Sequence, residues 1–171
     1  MPVSDTEYQD LLSEIRHLKD EKAIEGLLAL YARTVDYGRP EDYPALFTED
    51  GAFELQGAAR NRLKPDEPFP YDEDALLNRG GRRVERGFRF EGHAGLLKFI
   101  SSVNTQRLVL HAVLQPVIRL EGDDARVQSQ LIAVGKEHGA PRQLLVFGRY
   151  HDHVVRNPDG QWRFKERICE V

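Results

Sequence analysis

The second half of the chain consists of four long segments rich in strand-forming residues and separated by short turns. The segments cover residues 107–120, 125–136, 143–156 and 161–170. The intervening turns are Glu121-Gly122-Asp123-Asp124, a turn around Gly139-Ala140-Pro141, and Asn157-Pro158-Asp159-Gly160. Connections this short join antiparallel neighbours, because a parallel crossover needs a dozen or more residues. The pattern therefore predicts an antiparallel meander.

The beginning of the chain predicts helix. Ser4 and Glu7 have the spacing of a capping box. The apolar residues that follow recur at helical spacing: Tyr8, Leu11, Leu12, Ile15 and Leu18. A second helical segment covers residues 23–36, and it either continues the first helix or follows a break near Asp20.

Shorter elements connect these helices to the meander. The sequence predicts a short helix over residues 43–47, a turn over 48–51 and a strand over 52–55. A further helix is predicted over residues 92–103. Helices followed by a curled meander indicate an α+β fold, in which the helices cover one side of a bent sheet and leave a concave apolar pocket.

Residues 57–91 differ from the rest in composition. Charges of both signs alternate with Pro65, Pro68, Pro70 and the Gly80-Gly81 pair. Such a stretch cannot bury much surface, so we interpret it as an insertion in one domain that covers residues 1–171. It is either a floppy surface loop or a lid or oligomer contact, with four aromatic anchors: Phe69, Tyr71, Phe88 and Phe90.

Composition excludes several classes of function. A chain of 171 residues with 40% hydrophobic residues fits one domain, and a net charge of −4 provides no basic surface for nucleic acid. The single cysteine, Cys169, excludes an internal disulfide and a cysteine-based metal cluster. The N-terminal residues resemble no signal peptide, and no window resembles a membrane span. We expect a cytoplasmic protein without nucleic-acid or membrane partners.

Asp36 occupies an unfavourable position. It ends the helical segment just before Gly38 and Pro40. The C-terminal end of a helix carries partial negative charge, so a carboxylate there costs a few tenths of a kcal/mol or more unless something offsets the cost. Asp36 is therefore either an exposed residue paired with Arg33 or a functional carboxylate.

His111 is the second candidate. It lies in the apolar strand Leu108-Val109-Leu110-His111-Ala112-Val113-Leu114, where Val109 and Val113 share its face. A buried histidine is often a hydrogen-bonded core residue. Beside a carboxylate, however, its tautomer would be fixed and its protonated form stabilised, as proton transfer requires.

Several segments, taken in order, resemble the SnoaL-like branch of the NTF2-like superfamily. They are the segment from Ala23 to Asp36, the run Tyr43-Pro44-Ala45-Leu46-Phe47-Thr48-Glu49-Asp50-Gly51, His111 in its long strand, Gly148-Arg149-Tyr150-His151-Asp152, and Asp159-Gly160-Gln161-Trp162-Arg163-Phe164 followed by Arg167. The resemblance covers roughly residues 20–170. It implies a cone-shaped fold around an apolar cavity, usually assembled as a homodimer or homotrimer, and its pattern is closest to dehydratase-like members.

The resemblance also implies site residues. Asp36 and His111 match the proton-abstracting dyad, and Tyr31 matches a tyrosine five residues before the aspartate. Five residues of an ideal helix separate side chains by about 140°, so spacing alone would not bring Tyr31 and Asp36 together. Further pocket positions match Leu55 and the Ser129-Gln130 pair, where other members have a tyrosine and a histidine. We also expect His93 at the pocket rim, and either Tyr150 or Arg149 inside the pocket.

The implied activity is a cofactor-independent lyase reaction on a hydrophobic, ring-containing small molecule. Alternatives are a ketosteroid-isomerase-like isomerase or a polyketide cyclase. A third alternative is a non-catalytic ligand-binding domain or a domain like a dioxygenase small subunit. We expect no metal, because His151 and His153 alternate onto one strand face without an evident third ligand.

Overall fold

The computed structural model describes residues 4–57, 77, 80–84, 87–101, 108–136 and 141–171. Within those residues the chain forms two α-helices, two 3-10 turns and seven strands. The helices are α1 (Asp5–Tyr37) and α2 (Gly92–Ser101), and the 3-10 turns are Pro40–Asp42 and Pro44–Leu46. The strands are β1 (Phe47–Gln56), β2 (Arg82–Val84), β3 (Gly87–Glu91), β4 (Leu108–Glu121), β5 (Asp124–Lys136), β6 (Gln143–Arg156) and β7 (Trp162–Glu170).

The strands form a mixed sheet in the order β2-β3-β1-β7-β6-β5-β4. Strands β4 to β7 are consecutive antiparallel neighbours, which confirms the predicted meander. Two of its turns contain glycines with positive φ, Gly122 at 63° and Gly160 at 79°, a conformation that other residues rarely adopt. The first strand joins the last one in parallel, β1 with β7. The predicted α+β fold class is confirmed.

Helix α1 is continuous through Asp20 and begins with the predicted capping box. The Glu7 N–H donates to Ser4 Oγ at 3.3 Å, and the Ser4 N–H donates to Glu7 Oε2 at 2.8 Å. The buried face begins only at Ile24 and includes Leu27, Leu28, Tyr31 and Thr34. The second half of α1 therefore packs on the sheet, while the apolar residues of its first half stay largely exposed.

The insertion predicted over residues 57–91 ends earlier than expected. Residues 87–91 form β3, which pairs with β1 and places Phe88 and Phe90 in the core with exposures of 1% and 0%. The expectation that the whole stretch lies outside the core is wrong for this strand, because its alternating aromatic residues outweigh the charges around them. Phe69 and Tyr71 lie outside the described residues.

Of two local predictions near residue 45, one is confirmed in part and one is wrong. The short helix predicted over residues 43–47 is the 3-10 turn Pro44–Leu46, which follows the 3-10 turn Pro40–Asp42. Pro44 lacks the N–H that would continue the first turn, so the two turns do not merge into one helix. The turn over residues 48–51 lies inside β1, where the pairing with β7 shifts register between Phe47 and Ala52.

The inner face of the sheet is defined by alternation. Along β5 the buried side chains are Ala125, Val127, Ser129, Leu131 and Ala133, and the residues between them are mostly exposed. Cross-strand partners point to the same face, so residues opposite these positions also face inward. Among the described residues, no helix is both long and apolar enough to cross a membrane.

Candidate active site

The end of α1 and the start of β4 meet at Asp36 and His111. Asp36 Oδ1 lies 2.6 Å from His111 Nδ1, and Asp36 Oδ2 accepts a hydrogen bond from the His111 backbone N–H at 2.9 Å. The Asp36 side chain is 2% exposed and the His111 side chain 22%. The structure thus brings the two predicted residues together, with the carboxylate buried behind the imidazole.

The position of β4 explains why the backbone N–H of His111 is available. Strand β4 is the last strand in the sheet order, so among the described residues one side of it has no neighbouring strand. His111 pairs with Ala133 of β5 and its side chain shares the inward face of that residue. Asp36 occupies the free edge and binds both the main chain and the ring. These two contacts offset the cost of a carboxylate at the end of a helix.

The same two contacts define the chemistry of the imidazole. A carboxylate only accepts hydrogen bonds, so Nδ1 carries the proton that faces Asp36. In the neutral ring, Nε2 then keeps its lone pair and can accept a proton. The alternative, an exposed Asp36 paired with Arg33, does not occur, since both carboxylate oxygens contact His111.

Tyr31 belongs to a separate aromatic cluster under α1. Its ring centroid lies 5.7 Å from that of Tyr43, 5.8 Å from that of Tyr150 and 5.7 Å from that of Phe164. Burial raises the pKa of Tyr31 to about 12, so its hydroxyl keeps its proton at neutral pH. The contacts of Tyr31 connect it to β6 and β7, whereas Asp36 contacts β4.

A fully buried arginine lies on this cluster. Arg167 is 0% exposed, and its guanidinium carbon lies 3.9 Å from the ring centroid of Tyr31 and 3.7 Å from that of Tyr150. Asp152, on the neighbouring strand and directly opposite in register, places Oδ2 3.5 Å from Arg167 Nη1. The pair forms the charged centre of an otherwise aromatic core.

Most polar atoms of this centre make no hydrogen bond to the residues that the structure describes. Within the described residues, the three guanidinium nitrogens of Arg167 and both carboxylate oxygens of Asp152 make no hydrogen bond. The buried hydroxyl of Ser129 also makes none in that part of the chain, whereas the buried hydroxyl of Tyr43 faces that of Tyr31. Buried polar groups in proteins are almost always hydrogen-bonded, so this concentration of unpaired atoms is unusual.

Burial controls the electrostatics of the pair. It raises the pKa of Asp152 to about 7, because loss of water outweighs the attraction of Arg167. Burial also disfavours the charge of Arg167, yet Asp152 and the surrounding tyrosines keep the arginine pKa above its ordinary value. The pKa of Cys169, which pairs with Tyr150 across the strands, rises to about 12 through burial.

The sequence contains a signal for this pair in the alternation of two neighbouring strands. Asp152 alternates with Tyr150 and Val154 along one inward strand face, and Arg167 precedes the inward Cys169 by two residues. A charged residue in the inward alternation of each of two neighbouring strands indicates a buried ion pair.

Two of the predicted substrate-binding residues lie on the opposite face of the sheet. Gln130 and Arg149 are cross-strand partners, and both are exposed. The Gln130 amide donates to Gln115 Oε1 at 2.9 Å. These positions alternate with the inward Ser129 and Tyr150, so the expectation that Gln130 and Arg149 line the pocket is wrong for geometric reasons. Of the pair Tyr150 and Arg149, Tyr150 is the inward residue.

The remaining predicted positions have local partners. Leu55 is buried on β1, opposite Phe88 and Cys169. His93 is exposed at the start of α2, and its Nε2 lies 3.2 Å from the Phe47 carbonyl oxygen. Leu55 is thus part of the core, and His93 is anchored to the start of β1.

His151 and His153 have separate carboxylate partners. His151 Nε2 lies 3.3 Å from Glu170 Oε2, and His153 Nε2 lies 2.6 Å from Asp124 Oδ2. A search of the residues that the structure describes finds no group of three or more side chains arranged to hold a metal ion.

The curved mixed sheet, the covering helix and the aspartate–histidine contact define an NTF2-like protein. A family model confirms this class and narrows it to one family, because residues 16–168 match the model of the SnoaL-like domain. The chain therefore belongs to the SnoaL-like domain family. No match was found among curated protein sequences.

Solved structures show the same fold at low sequence identity. An NTF2-like protein with a cystatin-like fold from Novosphingobium aromaticivorans is 17% identical, with a TM-score of 0.68 over 98% of this chain and 90% of that chain. A protein from the same organism, provisionally named scytalone dehydratase, is 24% identical, with a TM-score of 0.64 over 90% and 84%. The beta subunit of a provisionally named aromatic-ring-hydroxylating dioxygenase from that organism is 18% identical, with a TM-score of 0.66 over 90% of each chain.

Proposed function

We propose that the protein is a cofactor-independent lyase, dehydratase-like, in which His111 removes a proton from a hydrophobic ring-containing small molecule. The observation that carries this proposal is the double contact between Asp36 and His111. It holds the imidazole in the tautomer that leaves Nε2 as the base. The similarity to a provisionally named scytalone dehydratase agrees with this reaction type.

The reaction consists of a proton transfer and an elimination. Nε2 of His111 takes a proton from a carbon next to a carbonyl group or next to the carbon that bears the leaving hydroxyl. The electron pair of the broken C–H bond forms the new double bond, and the hydroxyl leaves as water with the proton that the His111 imidazolium returns to it. Asp36 stabilises the imidazolium while the proton is on the ring. Tyr31, whose hydroxyl stays protonated, is the proposed hydrogen-bond donor to an oxyanion that develops on the substrate ring away from His111.

The inward residues near the dyad favour an apolar substrate. His111 is followed on its face by Val113, which pairs with Leu131 of β5. Leu131 is buried in the hydrophobic core, and Val113 packs against that core. A ring-containing molecule matches such walls, since apolar contacts dominate most small-molecule sites.

The test begins with identification of a ligand by mass spectrometry of material that co-purifies with the protein. Turnover of that compound, or of a close analogue, is then measured in D2O for the wild type, His111→Ala and Arg149→Ala. We expect loss of product and of deuterium incorporation in His111→Ala alone, because Arg149 lies on the other face. Full activity of His111→Ala would refute the mechanism.

The mass of the product separates the alternatives that use the same Asp36–His111 dyad. Loss of water supports the lyase, whereas a product of unchanged mass indicates an isomerase or a cyclase. The similarity to a dioxygenase beta subunit favours a different candidate, a non-catalytic subunit. Binding without conversion of any co-purified compound, together with no deuterium exchange in the wild type, would support that candidate.

A further inference from the structure

The Asp152–Arg167 pair has the features of a ligand subsite distinct from the dyad. Both side chains are completely buried, yet none of their polar atoms is hydrogen-bonded within the described residues. The Arg167 guanidinium offers several N–H donors and Asp152 offers acceptors, 3.5 Å apart. A buried charge without hydrogen bonds is costly, so a polar group from outside the chain would stabilise the cluster.

A neighbouring hydroxyl narrows the chemistry of that group. Ser129, which is buried, also leaves its hydroxyl without a partner in the described residues. An anion such as a carboxylate could accept hydrogen bonds from Arg167. It has no hydrogen-bond donor, however, so the Asp152 carboxylate would stay unpaired and would repel it. A hydroxyl on an unsaturated ring satisfies both, because it donates one hydrogen bond and accepts others. The ring that carries it would lie among aromatic side chains.

The spacing of the two sites defines the size of the ligand. Arg167 lies on the ring of Tyr31, and Tyr31 precedes Asp36 by five residues of α1. Five residues correspond to a rise of about 7.5 Å along the helix. A molecule of two or more fused rings spans such a distance, with one end at His111 and the other at the pair.

We propose that Asp152 and Arg167 form a second polar subsite, which binds a neutral hydroxyl group on the ligand end remote from His111. This inference rests on the proposed function only for the placement of the reacting carbon at His111. The subsite itself stands on the unpaired buried atoms of β6 and β7, and it selects fused-ring compounds with a phenolic or enolic hydroxyl over their carboxylate or ether analogues.

The test uses three matched probes: 2-naphthol, 2-methoxynaphthalene and 2-naphthoate. Their affinities are measured by isothermal titration calorimetry at pH 8, above the pKa of Asp152 and below that of 2-naphthol, for the wild type and for the double variant Asp152→Leu/Arg167→Met. The double variant replaces the whole pair with apolar side chains, because removal of one partner alone would leave an uncompensated buried group. His111→Ala and the outer-face variant Arg149→Met are the controls.

We expect the wild type to bind 2-naphthol at least about tenfold more tightly than either analogue, as one hydrogen bond to a charged group allows. The preference should disappear in the double variant and persist in both controls. If the preference for 2-naphthol persists in His111→Ala, the subsite is independent of the dyad. A failed lyase assay would then not contradict the subsite proposal. If the double variant does not fold, a crystal structure of the wild type with 2-naphthol decides.

Three results would overturn the proposal. They are equal affinity for the three probes in the wild type, tightest binding of 2-naphthoate, and an unchanged preference in a folded double variant. A crystal structure with only ordered water at Asp152 and Arg167, and the probe bound elsewhere, would have the same effect.

A second observation concerns the first half of α1. Tyr8, Leu11, Ile15 and Leu18, here called the α1 stripe, are 56%, 49%, 44% and 62% exposed. Their spacing of three, four and three residues is that of a coiled-coil seam. At 100° per residue, the centre of the α1 stripe lies about 175° from the centre of the buried face that starts at Ile24. The core of the same chain therefore packs on the other side of the helix.

The charges beside the α1 stripe favour one kind of partner. Glu7, Glu14 and Glu21 recur every seven residues along one flank, and Lys19 lies on the other flank. In a parallel pair of identical helices, the acidic flank of one helix faces the opposite flank of the other. Glu14 of one copy would therefore lie beside Lys19 of the second copy. We infer that the α1 stripe joins two copies of this chain in a parallel two-stranded coiled coil.

Light scattering after size exclusion tests this assembly at several protein concentrations. We expect a dimer for the wild type, a monomer for Leu11→Glu/Leu18→Glu, and a dimer for Leu144→Glu, a control on the exposed outer face of β6. Glu14→Lys should weaken the dimer, and Glu14→Lys/Lys19→Glu should restore it. A monomeric wild type, a trimer, or a dimer that only Leu144→Glu dissociates would refute the inference.

Discussion

Both carboxylate oxygens of Asp36 contact one residue, His111, through the ring nitrogen Nδ1 and through the backbone N–H. The first contact selects the tautomer of the imidazole, and the second fixes the position of the strand that carries it. One side chain thus controls both the protonation pattern and the placement of the proposed base. This relationship leads to the first prediction.

Asp36→Asn should reduce the rate of turnover by about 10²- to 10⁴-fold, the usual contribution of a general base. If the asparagine oxygen keeps the hydrogen bond from the backbone N–H of His111, the asparagine amide nitrogen would donate a hydrogen bond to His111 Nδ1. The ring would then carry its proton on Nε2, which can no longer accept one. Steady-state kinetics and an NMR assignment of the His111 tautomer check this. A normal rate with the Nδ1–H tautomer retained would contradict it.

The stability of the protein should depend on the ionisation of Asp152. Its pKa is about 7 in the folded protein because of burial, against 3.8 as the ordinary value. The folded state then holds the proton more tightly, so this contribution to stability is complete below about pH 4 and is lost as the pH rises through 7. The free energy of unfolding of the wild type, relative to Asp152→Asn, should fall by on the order of a few kcal/mol over this window. Urea titrations at pH 4 to 8 measure the difference, and a constant difference would refute the assignment.

Cys169 should be unreactive in the folded protein. Its side chain is buried and its pKa is raised to about 12, so almost no thiolate forms at neutral pH. Labelling with a coloured disulfide reagent at pH 8 should proceed only as fast as the protein unfolds, and it should accelerate sharply in urea. Immediate labelling without denaturant would show that this part of the core opens easily.

Two glycines should respond to alanine in opposite ways. A Cβ at Gly26 meets nothing within 4 Å, so Gly26→Ala should stabilise α1 by about 0.5–1 kcal/mol. A Cβ at Gly87 would lie 1.9 Å from the Leu55 carbonyl oxygen, inside the β1–β3 pair. Gly87→Ala should therefore destabilise the fold by about 1–3 kcal/mol or more. Thermal unfolding of both variants measures the contrast, and similar effects of the two substitutions would contradict it.

The sequence predicted the meander because its turns are short and rich in glycine, proline and aspartate. It predicted β1 less well, since Thr48-Glu49-Asp50-Gly51 has the composition of a turn but lies within a paired strand. Phe88 and Phe90 were placed in a charged insertion, because their burial depends on β1, which is far away in the sequence. Local composition carries little information about such distant pairing.

The two polar centres of the site also differed in how well the sequence predicted them. Asp36 and His111 were found through helix position, strand pattern and family resemblance. Arg167 and Asp152 belong to neighbouring strands, and only the register of β6 against β7 places them opposite each other. The prediction that Gln130 and Arg149 line the pocket was wrong for a related reason. A shift of one residue along a strand moves a side chain to the other face of the sheet.

The parallel pairing of β1 with β7 has a consequence for the order in which the protein can fold during synthesis. Strand β7 lies between β1 and β6, so it connects the strands on its two sides. Residues 162–170 leave the ribosome after every other strand of the sheet described here. Until they emerge, no strand joins β1 and β3 to the meander within the sheet, and Arg167 cannot contact Asp152. The nascent chain must therefore wait with an incomplete core, and truncation within β7 should divide the sheet in two rather than shorten its edge.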